Sequence, residues 1–200
     1  MKKLFILTLS ICACVLATAQ DFKADIASAR TNYAKGMLND AHFNLEQAMQ
    51  ALDIIVGKEV LKILPLKIDT LNVNTANDNV MATGGSLGTN IHRNYGNVMG
   101  NKMADISIVT NSPLISMINT FLNTPLLGAM MNTDKSRVIK VQGYKGRLEK
   151  NDNNNGQADY TIEIPLSNTL ITFKMTGTSD TEILNLVNTV PLPQIGKLLQ

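Results

Sequence analysis

Residues 160–190, which read YTIEIPLSNTLITFKMTGTSDTEILNLVNTV, decide the fold class of this chain. Apolar residues alternate with polar ones in two runs, which predicts two strands that each bury one face. The alternating residues are Tyr160, Ile162 and Ile164 in the first run and Ile171, Phe173 and Met175 in the second. Residues 165–168 form the turn between the runs. Ser179 and Glu182 match a capping box, in which each side chain bonds a free backbone amide, so a helix is predicted to begin there.

The segments that precede this stretch add further strands and one apolar helix. Residues 66–73 and 103–109 alternate in polarity, and residues 137–149 are predicted to form one long strand with a kink at Gly143. Residues 113–131 are the most apolar run, and the proline at its start suits the first position of a helix. Asparagine and threonine residues interrupt this run, so we expect no membrane-spanning segment.

Residues 21–64 are predicted to be helical, because apolar and small residues recur there at helical intervals. Gly36 is expected to supply a tight turn, and Asn39-Asp40 the cap of a second helix. Gly57 is expected to end that helix, with a third short helix over residues 58–64.

The stretch that begins at Tyr33 resembles half of a tetratricopeptide repeat over about 25 residues. Its small and apolar residues fall at matching positions, namely Gly36, Ala41, Leu45 and Ala48. The pattern does not recur downstream, and a repeat array needs about three units to bury its core. We therefore expect one helical hairpin over residues 20–65 and an α+β domain over residues 66–200. The predicted fold class is α+β, with an antiparallel sheet and helices packed on one face.

Residues 1–19 have the composition of a secretory signal peptide. Lys2 and Lys3 precede an apolar stretch, and Ala17-Thr18-Ala19 match a small-residue cleavage site. We favour cleavage after Ala19, and the competing interpretation is a lipoprotein signal that is acylated at Cys14. Either signal predicts an exported protein of a bacterial envelope, in the periplasm or outside the cell.

Removal of this segment leaves a neutral chain without cysteine. Without Lys2 and Lys3, the 18 lysine and arginine residues become 16, which equals the 16 acidic residues. A neutral chain without Trp, and with four Tyr and four Phe once Phe5 is removed, has no net basic charge and is poor in the stacking platforms that nucleic acids require, so we expect no nucleic-acid partner. Both cysteines lie in the removed segment, so we expect no thiol nucleophile and no thiolate metal site.

Several patterns are similar to catalytic or metal-binding motifs, and each has a simpler interpretation. Residues 84–88 match the G-x-S-x-G motif of hydrolases around Ser86, but no helix start follows, and His92 comes without an intervening acid. Residues 151–159 resemble a calcium loop without its key carboxylates, so we favour a hairpin loop over a weak calcium site. His42 and His92 are the only histidines, too few to predict a zinc site. We expect no catalytic residue, cofactor or metal.

Methionine residues cluster around the 113–131 run, with Met99 and Met103 before it. Methionine is adaptable and recurs at surfaces that bind varied apolar partners. The candidate lining residues of an apolar-ligand site are Met117, Ile118, Phe121, Met130 and Met131. The simpler interpretation, which we favour, is that these side chains fill a core that has few aromatic residues.

The chain supports two hypotheses about function. The favoured one is a non-catalytic exported envelope protein that binds another protein, with the helical hairpin as its contact element. The alternative is a carrier or sensor of an apolar, lipid-like ligand held between residues 113–131 and the sheet. The first predicts an exposed apolar groove or strip on the helices of residues 21–64, and the second predicts an enclosed apolar pocket.

Overall fold

The computed structural model describes residues 22–82, 88–97, 102–124, 135–152 and 158–200 of the chain. Its α-helices are α1 (Phe22–Ala34), α2 (Leu38–Ile63), α3 (Ile115–Asn123), α4 (Asp180–Thr189) and α5 (Leu192–Leu198). Its strands are β1 (Lys67–Ile68), β2 (Leu71–Asn72), β3 (Asn79–Ala82), β4 (Thr89–Gly96), β5 (Met103–Thr110), β6 (Ser136–Val141), β7 (Tyr144–Asp152), β8 (Ala158–Leu166) and β9 (Thr169–Thr178). One turn of 3-10 helix at Thr75–Asn77 lies between β2 and β3.

The helices α1 and α2 form a pair, and Gly36 makes the turn between them as the sequence predicts. Gly36 has a φ of +73°, a left-handed conformation that glycine adopts without steric cost. The Gly36 amide donates to the Tyr33 carbonyl (3.0 Å), and the Met37 amide donates to the Asn32 carbonyl (2.9 Å). These two hydrogen bonds are those of a Schellman motif, which satisfies the last carbonyls of α1.

Helix α2 differs from the sequence-based prediction at its start and in its middle. It begins at Leu38 without a side-chain cap, so the predicted cap at Asn39-Asp40 is wrong. It also runs unbroken through Gly57 to Ile63, so the predicted break and the separate helix over residues 58–64 are wrong. A Cβ on Gly57 would lie 2.5 Å from Val80 Cγ1, so glycine lets α2 approach β3 closely. This packing outweighs the helix penalty of glycine, which is about 1 kcal/mol.

Strands β3 to β9 form a seven-stranded sheet in the order β3-β4-β5-β9-β8-β7-β6. Every neighbouring pair is antiparallel, and β9 lies at the centre between β5 and β8. The short strands β1 and β2 pair with each other in a separate hairpin, which accounts for residues 66–73. The predicted α+β fold class, with a helical hairpin before an antiparallel sheet, is confirmed.

The single long strand predicted over residues 137–149 is wrong, because these residues form the antiparallel strands β6 and β7. Gln142 and Gly143 make the turn between them, with φ values of 50° and 90°. Positive φ at both central residues is typical of a type I′ turn, whose twist matches that of a two-stranded hairpin. The Gln142 side-chain amide also donates to the Val190 carbonyl (2.8 Å), which fastens this turn to the end of α4.

The main core lies between one face of the sheet and the helices α2, α4 and α5. Its fully buried members include Ile106, Ile162 and Phe173 of the sheet and Val60, Ile183 and Ile195 of the helices. The predicted capping box at the start of α4 is confirmed: the Glu182 amide donates to Ser179 Oγ (3.3 Å), and the Ser179 amide donates to Glu182 Oε2 (2.9 Å).

Helix α3 packs on the other face of the sheet. Its residues Ile118, Phe121 and Leu122 contact Leu170 of β9 in a second, smaller cluster. The next residue of β9, Ile171, belongs to the main core, and successive residues of a strand point to opposite faces. The sheet therefore carries helices on both sides, so the predicted packing of helices on one face is wrong for α3, although most of the buried residues belong to the core under α2, α4 and α5.

Candidate interaction surface

The N-terminal half of α2 packs against α1 through small side chains. Ala29 of α1 and Ala41 and Ala48 of α2 are buried, with exposed fractions of 4%, 5% and 1%. Small residues at a contact let two helix axes approach closely. The larger apolar side chains of this half of α2 are instead exposed.

These larger side chains form an exposed row along α2, which we call the apolar strip. Its members Leu38, Leu45, Met49 and Leu52 are 61%, 48%, 64% and 44% exposed. They are spaced by 7, 4 and 3 residues, and such spacings place side chains on one side of a helix. Scattered apolar residues are normal on a protein surface, whereas apolar residues that share one side of a helix form a candidate contact surface.

Exposed apolar side chains are concentrated on the helical pair as a whole. Of the 15 large apolar residues that are exposed in the described ranges, nine lie between Ile26 and Ile55. Besides the strip they are Ile26, Tyr33, Met37, Phe43 and Ile55. Exposed apolar side chains are therefore denser on the helical pair than on the rest of the described chain, where the other six lie.

The strip ends at a cleft of about 310 Å³ between α2 and the C-terminal residues. Met49, Leu52 and Val56 of α2 line this cleft together with Leu198 and Leu199. Because Met49 and Leu52 belong to both features, the cleft is continuous with the strip. It adds a concave site to an otherwise convex helical surface.

Close contacts between two strand ends shape the polar side of the cleft. A Cβ on Gly88 would lie 2.1 Å from the Thr110 carbonyl oxygen, and Gly88 has a φ of +72°, so glycine is required there. The Thr89 amide donates to Thr110 Oγ1 (2.7 Å), which holds the start of β4 against the end of β5. These contacts fix the polar wall that faces α2.

Asp53 brings a carboxylate into the cleft. Burial raises the pKa of Asp53 above its ordinary value, and a hydrogen bond with the Thr89 side chain lowers the same pKa to a smaller extent. No lysine or arginine of the described ranges forms an ion pair with Asp53. The Asp53 side chain nevertheless stays exposed at the mouth of the cleft, and no cation of the described ranges compensates its charge.

The structure separates the side chains that the sequence groups as an apolar-ligand site. Ile118 and Phe121 are only 1% and 7% exposed, whereas Met117 on the same helix is 56% exposed. The Arg147 guanidinium lies 5.8 Å from the centre of the Phe121 ring and covers it. Met130 and Met131 lie outside the described residues. A ligand site at these five positions stays a prediction.

Each histidine lies beside a carboxylate. His42 Nδ1 is 3.7 Å from Glu46 Oε1, one helical turn along α2, which is a pairing that the spacing alone indicates. His92 Nε2 forms a hydrogen bond with Asp105 on the neighbouring strand, a pairing that only the sheet register reveals. In the described part of the chain, no three His, Cys, Asp or Glu side chains are grouped as metal ligands.

The G-x-S-x-G motif around Ser86 lies mostly outside the described residues. The strand β4 begins at Thr89, directly after the last glycine of the motif. A hydrolase motif of this kind requires a helix at that point, so the order of elements disagrees with it.

The asparagine-rich loop lies between the paired strands β7 and β8, where a hairpin loop was predicted. Residues 153–157 are outside the described residues. Of the flanking carboxylates, Asp152 lies 2.9 Å from Lys150 Nζ, and Asp159 accepts a hydrogen bond from the Gly177 amide (3.0 Å). Both carboxylates thus have partners within the chain, and calcium binding stays a prediction.

The sequence did not reveal the candidate surface directly. It showed that Leu45, Met49 and Leu52 recur at helical intervals, but the alanines are buried and these residues are exposed. None of the helices in the described ranges combines the length and the apolar character that a bilayer span requires. Comparison with protein-family models, with curated proteins and with solved structures finds no match to this chain.

Proposed function

We propose that this chain is an exported, non-catalytic envelope protein that binds another protein through the apolar strip of α2. The observation that carries the proposal is the exposure of the strip, whose members Leu38 and Met49 are 61% and 64% exposed. Exposed apolar side chains do not stabilise the fold. A partner that covers them gains about 25 cal/mol of binding free energy for each Å² of apolar surface removed from water. The strip therefore has the character of a contact surface.

The geometry of the strip suits a helical partner. Leu38 and Leu52 are 14 residues apart, which corresponds to about 21 Å along a helix. Side chains at such intervals accept the knobs of a second helix in the spaces between them. The partner element is consequently proposed to be an amphipathic helix of about four turns.

Photo-crosslinking in the native envelope tests this proposal. A photoreactive amino acid at Met49 samples the strip, and the same residue at Lys58 samples the opposite side of α2, because nine residues correspond to about two and a half turns. We expect one discrete adduct from position 49 and none from position 58. The adduct is expected to disappear in the Leu45→Gln, Leu52→Gln double variant.

The control for the double variant is its stability. Leu45 and Leu52 are 48% and 44% exposed, so their replacement is expected to change the free energy of unfolding by less than about 1 kcal/mol. Equal adducts from positions 49 and 58, or an adduct that persists in a folded double variant, would contradict the proposal.

A second candidate function, the carriage of an apolar ligand, has one observation in its favour. A cavity of about 330 Å³ lies beside α4, with Ile68, Met175 and Leu186 among its lining residues. Its lining also contains Asp69 and Glu182, so it is less apolar than lipid-binding sites generally are. Native mass spectrometry of protein purified from its own envelope decides: a retained lipid mass would favour this candidate over protein binding.

Export is part of the proposal and has its own test. Cleavage after Ala19 would give a mature chain that begins at Gln20 and carries no lipid. Intact-mass measurement of the mature protein is expected to give that mass. A diacylglyceryl group on Cys14 would instead show that the protein is lipid-anchored.

A further inference from the structure

The acidic and basic side chains differ in number along the part of α2 that contains the strip. Between Leu38 and Gly57 the helix contains the carboxylates Asp40, Glu46 and Asp53 and neither lysine nor arginine. The first basic residue of α2 is Lys58, which projects from the side away from the strip. Asp40 also lies on that far side, so a partner that covers the strip meets the two carboxylates Glu46 and Asp53 of α2.

Asp53 places one of these negative charges in the cleft. Its carboxylate lines the cleft next to Met49 and Leu52, so apolar and anionic groups face the same small space. No ion pair with a cation of the described ranges compensates it. An uncompensated carboxylate beside apolar side chains favours a partner that brings both a cation and an apolar group.

We infer that the helix that binds the strip is basic, and that it places an apolar side chain in the cleft and a lysine or arginine against Asp53. This inference rests on the proposed function, because it specifies the partner of the same surface. A second copy of this chain fits less well, since it would bring another set of carboxylates against Glu46 and Asp53. An anionic membrane surface is disfavoured for the same reason.

Two synthetic peptides of about 18 residues supply the probes, since that length spans the strip. Both carry leucine at heptad positions a and d, and the remaining positions are lysine in one peptide and glutamate in the other. Fluorescence anisotropy measures the binding of each peptide to the mature chain. We expect the lysine peptide to bind at micromolar concentration and the glutamate peptide to bind at least tenfold more weakly.

Two isosteric variants test which carboxylate of α2 contributes to the binding of the lysine peptide. Asp53→Asn is expected to weaken the binding of the lysine peptide by about three- to fivefold, which is the upper size of an exposed ion pair. Asp40→Asn removes the same charge from the side of α2 away from the strip and is expected to change the affinity by less than about twofold. A loss of affinity that is equal in the two variants would overturn the role of Asp53.

Other outcomes separate this inference from the proposed function. If both peptides bind equally and the Leu45→Gln, Leu52→Gln variant binds neither, the strip docks helices regardless of charge, and only the basic partner is overturned. If neither peptide binds although the cross-link at Met49 forms, the basic helix is again overturned while protein binding stands. A dimer in sedimentation velocity that the double variant abolishes would assign the strip to a second copy and overturn the inference.

Discussion

Arg93 of β4 donates two hydrogen bonds to the carboxylate of Asp78, from Nε to Oδ1 (2.9 Å) and from Nη2 to Oδ2 (2.5 Å). The side chains are only 5% and 16% exposed, so the pair is largely removed from water. Arg93 Nη1 also donates to the Leu64 carbonyl (3.2 Å) just after the end of α2. One guanidinium thus joins the sheet, the segment before β3 and the C-terminus of α2.

Loss of one member of this pair is expected to be costly. Asp78→Ala leaves the Arg93 charge buried without its partner, and such changes cost about 3–5 kcal/mol. Urea denaturation of wild type and variant measures the difference. The matched control is Asp180→Ala, because the Arg137–Asp180 pair is 44% and 41% exposed and is expected to contribute less than about 1 kcal/mol. Equal losses in the two variants would contradict the burial argument.

The contact between Gly57 and Val80 predicts a compensating pair of substitutions. Gly57→Ala improves helix propensity by about 1 kcal/mol but forces a Cβ against the Val80 side chain, so we expect a net destabilisation of about 1 kcal/mol. Val80→Ala removes the obstructing methyl groups. The double variant is expected to be more stable than the sum of the two single changes indicates, and a double-mutant cycle by thermal unfolding measures the coupling. Simple additivity would show that the two residues do not compete for space.

The parts of the fold that local patterns dictate were predictable from the sequence. The capping box of Ser179 and Glu182 and the alternation through Phe173 depend only on neighbouring residues. The break expected at Gly57 depends instead on what the glycine contacts, which is a strand more than 20 residues away. The Gln142-Gly143 turn was missed for a related reason, because glutamine is unusual at positive φ and is held there by the carbonyl of Val190.

The sequence predicted an exposed apolar strip on the helices of residues 21–64, but not which residues form it. Periodicity shows which residues of α2 share a side, but it does not show which side another element covers. The alanines take the contact with α1, and Leu45 and Met49 remain exposed. The position of Asp53 in a cleft could not be predicted from the sequence, because the cleft is assembled from α2, two strand ends and the C-terminal residues.

Stability at low pH is expected to depend on Glu182. Its carboxylate accepts hydrogen bonds from Lys102 Nζ (2.5 Å) and Thr178 Oγ1 (2.8 Å), and these contacts lower its pKa from 4.5 to about 2. A carboxylate whose pKa is lower in the folded state stabilises that state above pH 4.5, and the contribution is lost as the pH falls towards 2. We expect the melting temperature of the wild type to fall more between pH 5 and pH 2 than that of Glu182→Gln. Parallel curves would show that Glu182 does not contribute.

A substitution in the cluster beneath α3 tests whether these side chains form a packed core or a ligand site. Phe121→Ala is expected to cost about 3–5 kcal/mol, from lost transfer energy and an unfilled cavity. Met117→Ala, four residues earlier on the same helix, is the control and is expected to change the free energy of unfolding by less than about 0.5 kcal/mol, because Met117 is 56% exposed. A loss below about 1 kcal/mol for Phe121→Ala, together with stabilisation of the wild type by added fatty acid, would favour the apolar-ligand hypothesis.

The alanine contact between α1 and α2 has a consequence for how this protein can change over evolutionary time. The residues that hold the helical pair together, Ala29, Ala41 and Ala48, are separate from the residues that form its outer surface. Single substitutions in the strip therefore leave the folding free energy nearly unchanged, and selection on stability does not constrain them. Under the proposed function, recognition and folding are separate constraints along one helix, so a new binding specificity can arise here without compensating changes elsewhere in the chain.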